Sequence, residues 1–261
     1  MIAKELIMAL NMGSPTPEKT CDTVKHGNDQ KEIKRVAVCM LGTAEIIRKA
    51  HEWGADMLVV HEPLYYDHWD KVADDPVTQA KLTLVSESDM LIYRYHDHMH
   101  GKAVDEIPEG ELHYLGLEGI LEKSQYNASS IFTLDKPITA KEIMNRRESR
   151  LGVKHARVVG SIDKEITRIA ACFGTPAGVF QLLKQEDIQL VITGEACEWQ
   201  LCEYARDAAA LGFNKSLIVM GHICSERDGM RLLTERMKER YPELDVKYIE
   251  CGEVYSYTDE I

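Results

Sequence analysis

The chain has 261 residues, of which 44% are hydrophobic and 28% charged, a composition typical of a globular protein with room for one large or two modest domains. Its 31 basic and 43 acidic residues give a net charge of −12, which argues against a broad nucleic-acid surface, because phosphate binding needs clustered Lys and Arg. No run approaches the ~20 apolar residues of a membrane-spanning helix. The seven cysteines are scattered without a Cys-x-x-Cys motif, which predicts reduced thiols in a cytoplasmic protein.

The first half of the chain has a strand–helix–strand pattern. An amphipathic helix over 1–11 and a polar loop over 13–34 come first. The alternating elements that follow predict a parallel sheet, because a helix that crosses between two strands makes them run in the same direction. They are a strand over 35–40, a helix over 43–53, a strand over 56–60, a helix over 75–87 and a strand over 90–95.

From residue 129 the pattern changes and then returns. A short strand, a charged helix with a Thr cap and another strand predict a small linking subdomain over 131–134, 139–150 and 156–160. A second series of alternating elements follows. It consists of strands over 168–173, 189–193, 216–220 and 245–250, and of helices over 179–185, 198–211 and 226–240.

The two series resemble each other. A shift of 133 residues lays Val36–Cys39 on Ile169–Cys172 and Glu62 on Glu195, and a shift of 126 lays His96 on His222. Repeats of this length indicate two copies of one supersecondary unit. We therefore predict an internally duplicated α/β chain. The first half comprises residues 1–125. The second half comprises residues 126–261 and includes the linking subdomain.

Metal-competent side chains stand where the predicted strands end. Ligands of open parallel sheets bind beyond the carboxyl ends of the strands, so we expect these side chains to converge between the two halves. They are His61, Glu62, His96, Glu195 and His222.

Two further candidates follow at helical spacing. On a helix, His100 lies on the same face as His96, and Glu226 on the same face as His222. If residues 96–100 instead form a strand, His98 joins the site. Six donors are more than one tetrahedral zinc needs. Two ions, bridged by Glu226 and a water, account for all six more simply.

Weaker signals surround these residues. The turn over 174–178 can cradle a phosphate with its backbone N–H groups, although a plain tight turn is the simpler interpretation. Glu195 is a candidate general base or support for a metal ligand, and capping of the next helix is an equal alternative. Residues 65–67 can line a substrate pocket or simply pack. The histidines outside the matched strand ends are interpreted as ordinary: His26, His51, His68, His113 and His155.

Four segments carry a resemblance to the NGG-one-interacting-factor-like family, also called dinuclear metal centre hexameric proteins or type-two GTP cyclohydrolase I homologues. They are Gly54–Pro63, His96–His100, Val191–Glu195 and Gly221–Glu226, within a resemblance that runs from about Arg35 to Tyr248. The segments 136–143 and 157–160 also fit. The chain has Glu62 and His100 where the family usually has His and Asp, an apparent exchange of carboxylate and imidazole. The family's N-terminal Trp-Asp-Asn-x-Gly signature is replaced by Cys21-Asp-Thr-Val.

The resemblance implies a duplicated three-layer α/β/α fold with mixed, largely parallel sheets and two divalent metal ions (Zn, Fe or Mn) between the halves. It also implies a homohexamer. Its ligand positions fall on six residues of this chain: His61, Glu62, His96, His100, His222 and Glu226.

Three functions are compatible with these observations. The first is a metal-dependent hydrolase that acts on a small, possibly phosphorylated molecule, such as a phosphoester, a nucleotide or a GTP cyclohydrolase-type substrate, with Glu195 and Glu226 as candidate catalytic groups. The second is a non-catalytic metal-binding or regulatory ring protein. The third, a DNA-binding ring, fits least well with the charge of −12.

Overall fold

A computed structural model describes residues 1–126 and 128–258. Its helices are α1 Ala3–Asn11, α2 Ala44–Trp53, α3 Pro76–Glu87, α4 Asp97–Gly101, α5 Glu106–Leu115, α6 Ala140–Arg146, α7 Val179–Leu183, α8 Glu203–Ala210 and α9 His222–Arg240. Two π-helical segments, Arg147–Leu151 and Glu198–Cys202, extend α6 and precede α8. No helix in these ranges is long and apolar enough to cross a membrane.

The strands form two sheets. They are β1 Val24–His26, β2 Arg35–Cys39, β3 Met57–Val60, β4 Leu91–Arg94, β5 Gly119–Lys123, β6 Ser130–Thr139, β7 Arg157–Gly160, β8 Glu165–Cys172, β9 Leu190–Thr193, β10 Ser216–Val219 and β11 Asp245–Tyr248. The first sheet has the order β1-β4-β3-β2-β11 and the second β5-β6-β8-β9-β10-β7. In each, three or more neighbouring strands are parallel and an antiparallel strand borders β4 or β10. The second sheet also contains the antiparallel pairs β5–β6 and β6–β8. The predicted α/β fold with mixed sheets is confirmed, and the sheets are largely parallel only in the first unit.

The chain divides into two compact units. The first contains Met1–Ala103 and the chain from Met230 onward, and the second contains Val104–Gly229. These limits differ from the predicted division after residue 125, because β11 pairs with β2 and so belongs to the first sheet. Residues 127 and 259–261 of the predicted second half lie outside the described residues.

Helices cover both faces of the first sheet. On one face, α2 and α3 pack against the side chains of alternate strand residues such as Leu58 and Ile92. On the other, the hydroxyl of Tyr93 donates to Asn11 Oδ1 and that of Tyr95 donates to the carbonyl of Leu10, both in α1. Strand residues that are buried without alternation are typical of a sheet covered on both faces. This unit therefore has the predicted three layers.

The strand register confirms the first part of the repeat. Val36 of β2 pairs with Met57 of β3, and Ile169 of β8 pairs with Leu190 of β9. Both partners are displaced by the same 133 residues. The two sheets therefore contain copies of one strand pair in one register.

The second part of the repeat is corrected by one residue. Leu91 of β4 pairs with Met57, whereas Ser216 of β10 pairs with Leu190, so the structural shift is 125 and the predicted 126 was wrong. The same shift lays Asp97, the first residue of α4, on His222, the first residue of α9. The sequence comparison aligns His96 with His222 because the two residues are identical. Backbone register, which sets the true alignment, cannot be read from the sequence.

Three other predictions need correction. The loop over 13–34 contains β1, which pairs with β4. Helix α9 begins at His222, one turn before the predicted start at Glu226. The strands of the predicted linking subdomain are not separate, since β6 pairs with β8 and β7 with β10. The paired strands are far apart in the sequence, so their order in the sheet could not be predicted from the sequence.

Candidate metal centre

The carboxyl ends of β3 and β4 meet at one edge of the first sheet. The amide of Tyr95 donates to the carbonyl of Val60, and the amides of His61 and Glu62 both donate to the carbonyl of Met40, which follows β2. Parallel pairing thus fixes the two chain segments that carry the predicted ligands. Three of the side chains expected to converge between the halves, His61, Glu62 and His96, lie together within this unit.

Three imidazoles form a cluster there. The ring centroids of His61 and His96 are 4.6 Å apart, those of His96 and His100 4.8 Å, and those of His61 and His100 5.2 Å. Each ring offers one nitrogen, and these three atoms lie within 4.8 Å of one another. Nitrogens that bind one zinc at about 2.0–2.1 Å are closer together than this limit, so small side-chain movements would bring the three atoms onto one ion, and the cluster is a candidate metal site.

The hydrogen bonds of two rings define their tautomers. His61 Nδ1 lies 3.0 Å from the carbonyl oxygen of Tyr95, and His96 Nδ1 lies 2.9 Å from Oδ1 of Asp97. A carbonyl oxygen or a carboxylate can only accept, so each Nδ1 donates and the lone pair is on Nε2. A ligating histidine is typically held in this way, through its other ring nitrogen.

The electrostatic environment keeps the central ring neutral. Burial lowers the pKa of His61 well below its ordinary value, and the neighbouring His96 and His100 lower it further. Burial raises the pKa of Asp97, but hydrogen bonds from His96, the Cys21 amide and Thr20 outweigh it and bring this pKa below its usual range. The result is a neutral imidazole beside an ionised carboxylate, which are the protonation states that metal binding requires.

A buried arginine organises the segment after β3. Arg94 Nε donates to the carbonyl of His61 at 2.9 Å, and Nη1 donates to the carbonyl of His68 at 2.5 Å. Its Nη2 is 3.4 Å from Oε2 of Glu62, and Nη1 is 3.5 Å from Oδ2 of Asp70. Glu62 Oε1 lies 3.9 Å from His96 Nε2. The carboxylate of Glu62 is therefore positioned at the edge of the imidazole cluster.

The segment 96–100 is helical, as the i, i+4 interpretation predicted. Asp22 Oδ1 accepts from the amides of His96 and Asp97 at 2.8 and 2.9 Å. Its Oδ2 accepts from the His98 amide at 2.8 Å and from His98 Nδ1 at 2.7 Å. His98 is buried among these partners and Thr16, so the strand alternative, in which it joins the cluster, is wrong.

Four residues near the cluster were missed by the sequence reasoning: Asp22, His68, Arg94 and Asp97. The ring of His68, which had been interpreted as ordinary, is 5.9 Å from that of His96. The sequence held a signal for Asp22, since it stands where the related family carries the Asp of its N-terminal signature. The position of Arg94 inside an apolar strand was a second signal in the sequence. A buried charge needs polar partners, so such a residue indicates a polar site nearby.

A second donor group contains Cys21 with His96 and Asp97, again with one atom each within 4.8 Å. Burial raises the pKa of the Cys21 thiol to about 12. Because the thiolate is the form that binds metals, this group fits a metal less well than the three imidazoles.

The predicted residues of the second unit also approach one another. His222 Nδ1 is 2.7 Å from Oε1 of Glu195, and His222 Nε2 is 3.4 Å from Oε2 of Glu226, one helical turn along α9. The carboxylate of Glu195 thus contacts an imidazole, and the N-terminus of the Glu198–Cys202 segment has no side-chain cap from Cys197. Of the three roles considered for Glu195, support of a ligand is the one that its contact with His222 favours.

The turn after β8 passes close to these side chains. Gly174 has φ +61°, and a Cβ at this position would lie 2.4 Å from Oε1 of Glu226 and 3.3 Å from Nε2 of His222. The Gly174 amide donates to Oγ of Ser225 at 3.0 Å. Only glycine combines this backbone conformation with this close approach.

An open cavity of about 410 Å³ adjoins Glu195. Its lining side chains are polar and uncharged or apolar, apart from the carboxylate of Glu195. They are Thr175, Pro176, Val179, Phe180, Gln181, Glu195, Ala196, Cys197, Gln200 and Leu201, with Gly178. Among these described residues no Lys, Arg or His faces the cavity, which disfavours a phosphate here and supports the simpler tight-turn interpretation of residues 174–178.

Fold and site together define a duplicated α/β protein with a candidate metal centre of imidazoles and carboxylates. The model of the Duf34/NIF3 (NGG1p interacting factor 3) family matches residues 23–253, and the chain belongs to this family.

Curated relatives and solved structures agree with this assignment. A protein of Clostridium perfringens named "GTP cyclohydrolase 1 type 2 homolog" is 28% identical over 232 residues, which cover 85% of this chain and 84% of that protein. A structure described as protein ybgI, of unknown function, superposes with a TM-score of 0.79 at 20% identity and covers 98% of this chain and all of its own. The Staphylococcus aureus hypothetical protein SA1388 gives 0.77 at 16% identity, over 98% and 99% of the two chains. At these identities the structures support the fold alone.

Proposed function

We propose that the chain binds two divalent metal ions, Zn, Fe or Mn, and hydrolyses a small molecule with them. The proposed ligands are His61, Glu62, His96, His100, His222 and Glu226. The first four belong to the described cluster of the first unit, and the last two rest on the family's ligand positions.

One observation carries this proposal. His61, His96 and His222 each have Nδ1 hydrogen-bonded to an oxygen that can only accept, at 2.7–3.0 Å. Such pairing directs the Nε2 lone pairs of all three rings and raises their basicity. His98 has the same pairing, to Asp22 at 2.7 Å, but its ring lies outside the cluster, so it is this pairing together with the convergence of His61, His96 and His100 that supports a metal site. Imidazoles mixed with carboxylates suit Zn, Fe or Mn and disfavour Cu(I), which prefers thiolates.

Hydrolysis is the chemistry that this ligand set supports best. Divalent ions in such a site lower the pKa of a bound water and polarise a phosphoryl or carbonyl oxygen. The carboxylate of Glu195 retains the proton on His222 Nδ1. Glu226, on the other side of the same ring, and Glu195 are the proposed groups that exchange protons with water and leaving group.

The cavity beside Glu195 suggests how a substrate is oriented. A phosphoester or nucleotide would place its anionic end at the cations, while an uncharged polar part enters the cavity, where Gln181, Gln200 and Thr175 offer hydrogen bonds. GTP cyclohydrolase-type chemistry, named in the relatives' descriptions, is one member of this substrate class. A homohexamer, as the family resemblance implies, is part of the proposal and is tested by light scattering.

The test measures metal and turnover separately. Purified wild-type chain should contain about two equivalents of metal. His96→Ala and His222→Ala should each lower the content substantially, and exposed His113→Ala should leave it unchanged. Circular dichroism checks that each variant folds. The metal-loaded protein is then assayed on p-nitrophenyl phosphate, nucleotides and GTP.

The outcomes separate the two functions considered. Metal-dependent turnover that His222→Ala abolishes supports the hydrolase. Tight metal binding without turnover on any of these substrates rejects hydrolysis and favours a metal-binding or regulatory protein. Absence of metal from folded wild-type protein, even after incubation with Zn, Fe(II) and Mn, rejects both.

A further inference from the structure

Two cysteine side chains meet beside the first sheet, although they are far apart in sequence. Cys39 is the last residue of β2 and is fully buried, while Cys251 follows β11 and is partly exposed. Pairing of β11 with β2 continues through the Ile249 amide, which donates to the carbonyl of Val38 at 2.8 Å. Two residues later, Cys251 packs against the core cluster that contains Cys39, and the two thiols influence each other's pKa.

The backbone of Leu41 contacts the sulfur of Cys251 through both of its polar groups. The amide of Leu41 donates to Cys251 Sγ at 3.2 Å, and the thiol donates to the carbonyl of Leu41 at 3.2 Å. The hydrogen bond from Cys39 lowers the pKa of Cys251 below its ordinary value; burial opposes this effect, and the amides of Leu41 and Met40 add to it. Burial raises the pKa of Cys39 well above its ordinary value. The thiolate, which is the nucleophilic form, is therefore concentrated on the accessible sulfur of the pair.

The duplication provides an internal comparison. The shift of 133 residues that relates β2 to β8 lays Cys39 on Cys172, which is also fully buried at the end of its strand. Burial raises the pKa of Cys172 to about 12, and its neighbour is the hydroxyl of Ser129 rather than a second thiol. The dithiol thus exists in only one of the two copies among the described residues.

We propose that Cys251 and Cys39 form a reactive dithiol site that takes small-molecule disulfides such as oxidised glutathione. The Cys251 thiolate attacks one sulfur of the disulfide, which forms a mixed disulfide and releases one glutathione thiolate. Cys39 then attacks the Cys251 sulfur, and the second glutathione leaves with the Cys39 proton. The two protein thiols are oxidised to one intramolecular disulfide, and one oxidised glutathione is reduced to two thiols.

The order of attack follows from exposure. An external disulfide reaches the partly exposed Cys251 but not the fully buried Cys39. Cys39 therefore acts only on the mixed disulfide that forms beside it. The carbonyl of Met40, the residue after Cys39, accepts from the amides of His61 and Glu62. The dithiol is therefore one residue away from a backbone contact with the candidate metal centre. The proposal does not depend on the metal.

The test uses the reduced full-length chain, incubated with oxidised glutathione and mapped by peptide mass spectrometry after alkylation. Wild-type protein should yield a Cys39–Cys251 linked peptide that reducing agent removes. Cys39→Ser should instead accumulate glutathione on Cys251, and Cys251→Ser should leave Cys39 reduced. Cys172→Ser, the matched control, should behave as wild type.

Two results would overturn the proposal. One is a stable glutathione adduct on Cys251 of the wild-type chain, since Cys39 would then fail to resolve it. The other is oxidation confined to Cys197, the exposed thiol, with Cys251 unmodified. Neither result bears on metal content, so the two proposals fail independently.

Discussion

The Nδ1 atom of His222 lies 2.7 Å from the Oε1 atom of Glu195, and these two residues follow different parallel strands of the second sheet. The carboxylate therefore determines both the orientation of the ring and which nitrogen carries its proton. Such support of a ligating ring is commonly worth 10- to 100-fold in metal affinity.

Removal of this support should weaken metal binding. We expect Glu195→Ala to raise the dissociation constant by roughly 10- to 100-fold, because the His222 ring loses its orientation. A chelating indicator dye measures this constant by competition. Glu198→Ala, which removes an exposed carboxylate paired with Arg157, is the control and should leave it unchanged. An unaltered constant in Glu195→Ala would refute the supporting role.

Asp22 should stabilise the first unit. Its carboxylate accepts four hydrogen bonds from the start of α4. The substitution Asp22→Ala removes the acceptor of all four. We expect a loss of about 1–3 kcal/mol in the free energy of unfolding, measured with urea. Asp163→Ala, which removes an exposed partner of Lys141, should cost less than ~1 kcal/mol. Equal losses in the two variants would contradict the capping role.

The burial of His61 predicts a pH dependence of stability in metal-free protein. Because its folded-state pKa lies well below the ordinary value of 6.5, the unfolded chain takes up the proton first as the pH falls. This contribution to stability is therefore complete above pH 6.5 and is lost as the pH falls below it. His61→Gln should flatten that part of the curve from urea unfolding, and His113→Gln should not. A steeper decline in His61→Gln would show that the sign is wrong.

His98 and His100 should separate stability from metal binding. His98 is buried against Asp22 and Thr16, so His98→Ala should lower the melting temperature more than it lowers metal content. His100 contributes a ring to the cluster, and His100→Ala should do the reverse. Thermal unfolding and elemental analysis of both variants test this reciprocity. Loss of metal in His98→Ala alone would reverse the assignment of the two side chains.

Gly174 should tolerate no side chain. Gly174→Ala introduces a Cβ 2.4 Å from Glu226 Oε1 on a backbone with φ +61°. Gly212→Ala is the matched control, since its φ is +91° but no atom lies within 4 Å of its Cβ. Both should lose about 1–2 kcal/mol to the left-handed conformation. Only Gly174→Ala should also lose metal, by displacing Glu226; similar metal contents in the two variants would contradict this expectation.

The backbone pattern of this chain was largely predictable from sequence. Runs such as Met57–Val60 and Leu190–Thr193 are apolar without alternation, which is the signature of strands covered on both faces. Parallel strands place their carboxyl ends at one edge, so the proximity of His61 to His96 followed from strand assignment alone. The antiparallel partners β6 and β7 were assigned elsewhere, because a short strand gives no local indication of what it pairs with.

The residues that support the site were less predictable than its ligands. Asp22 acts through backbone amides of residues 74 to 76 positions away, and no periodicity or spacing reveals such a contact. The segment between β3 and β4 is eight residues longer than the one between β9 and β10, so the shift falls from 133 to 125. The error of one residue in the sequence match arises after the strands, because His222 stands one position further from the end of β10 than His96 stands from the end of β4. Sequence matching placed His222 on His96, whereas the backbone places it on Asp97.

The return of β11 to the first sheet has a consequence for synthesis of the protein. During translation, β2 has β3 on one side only, and its other edge stays unpaired until residues 245–248 emerge. An open edge of buried, β-branched residues is a site of wrong pairing with other chains. The second unit, which is continuous in sequence, can mature before the first. Ribosome-bound chains truncated before β11 should therefore be protease-resistant over 104–229 and sensitive around β2.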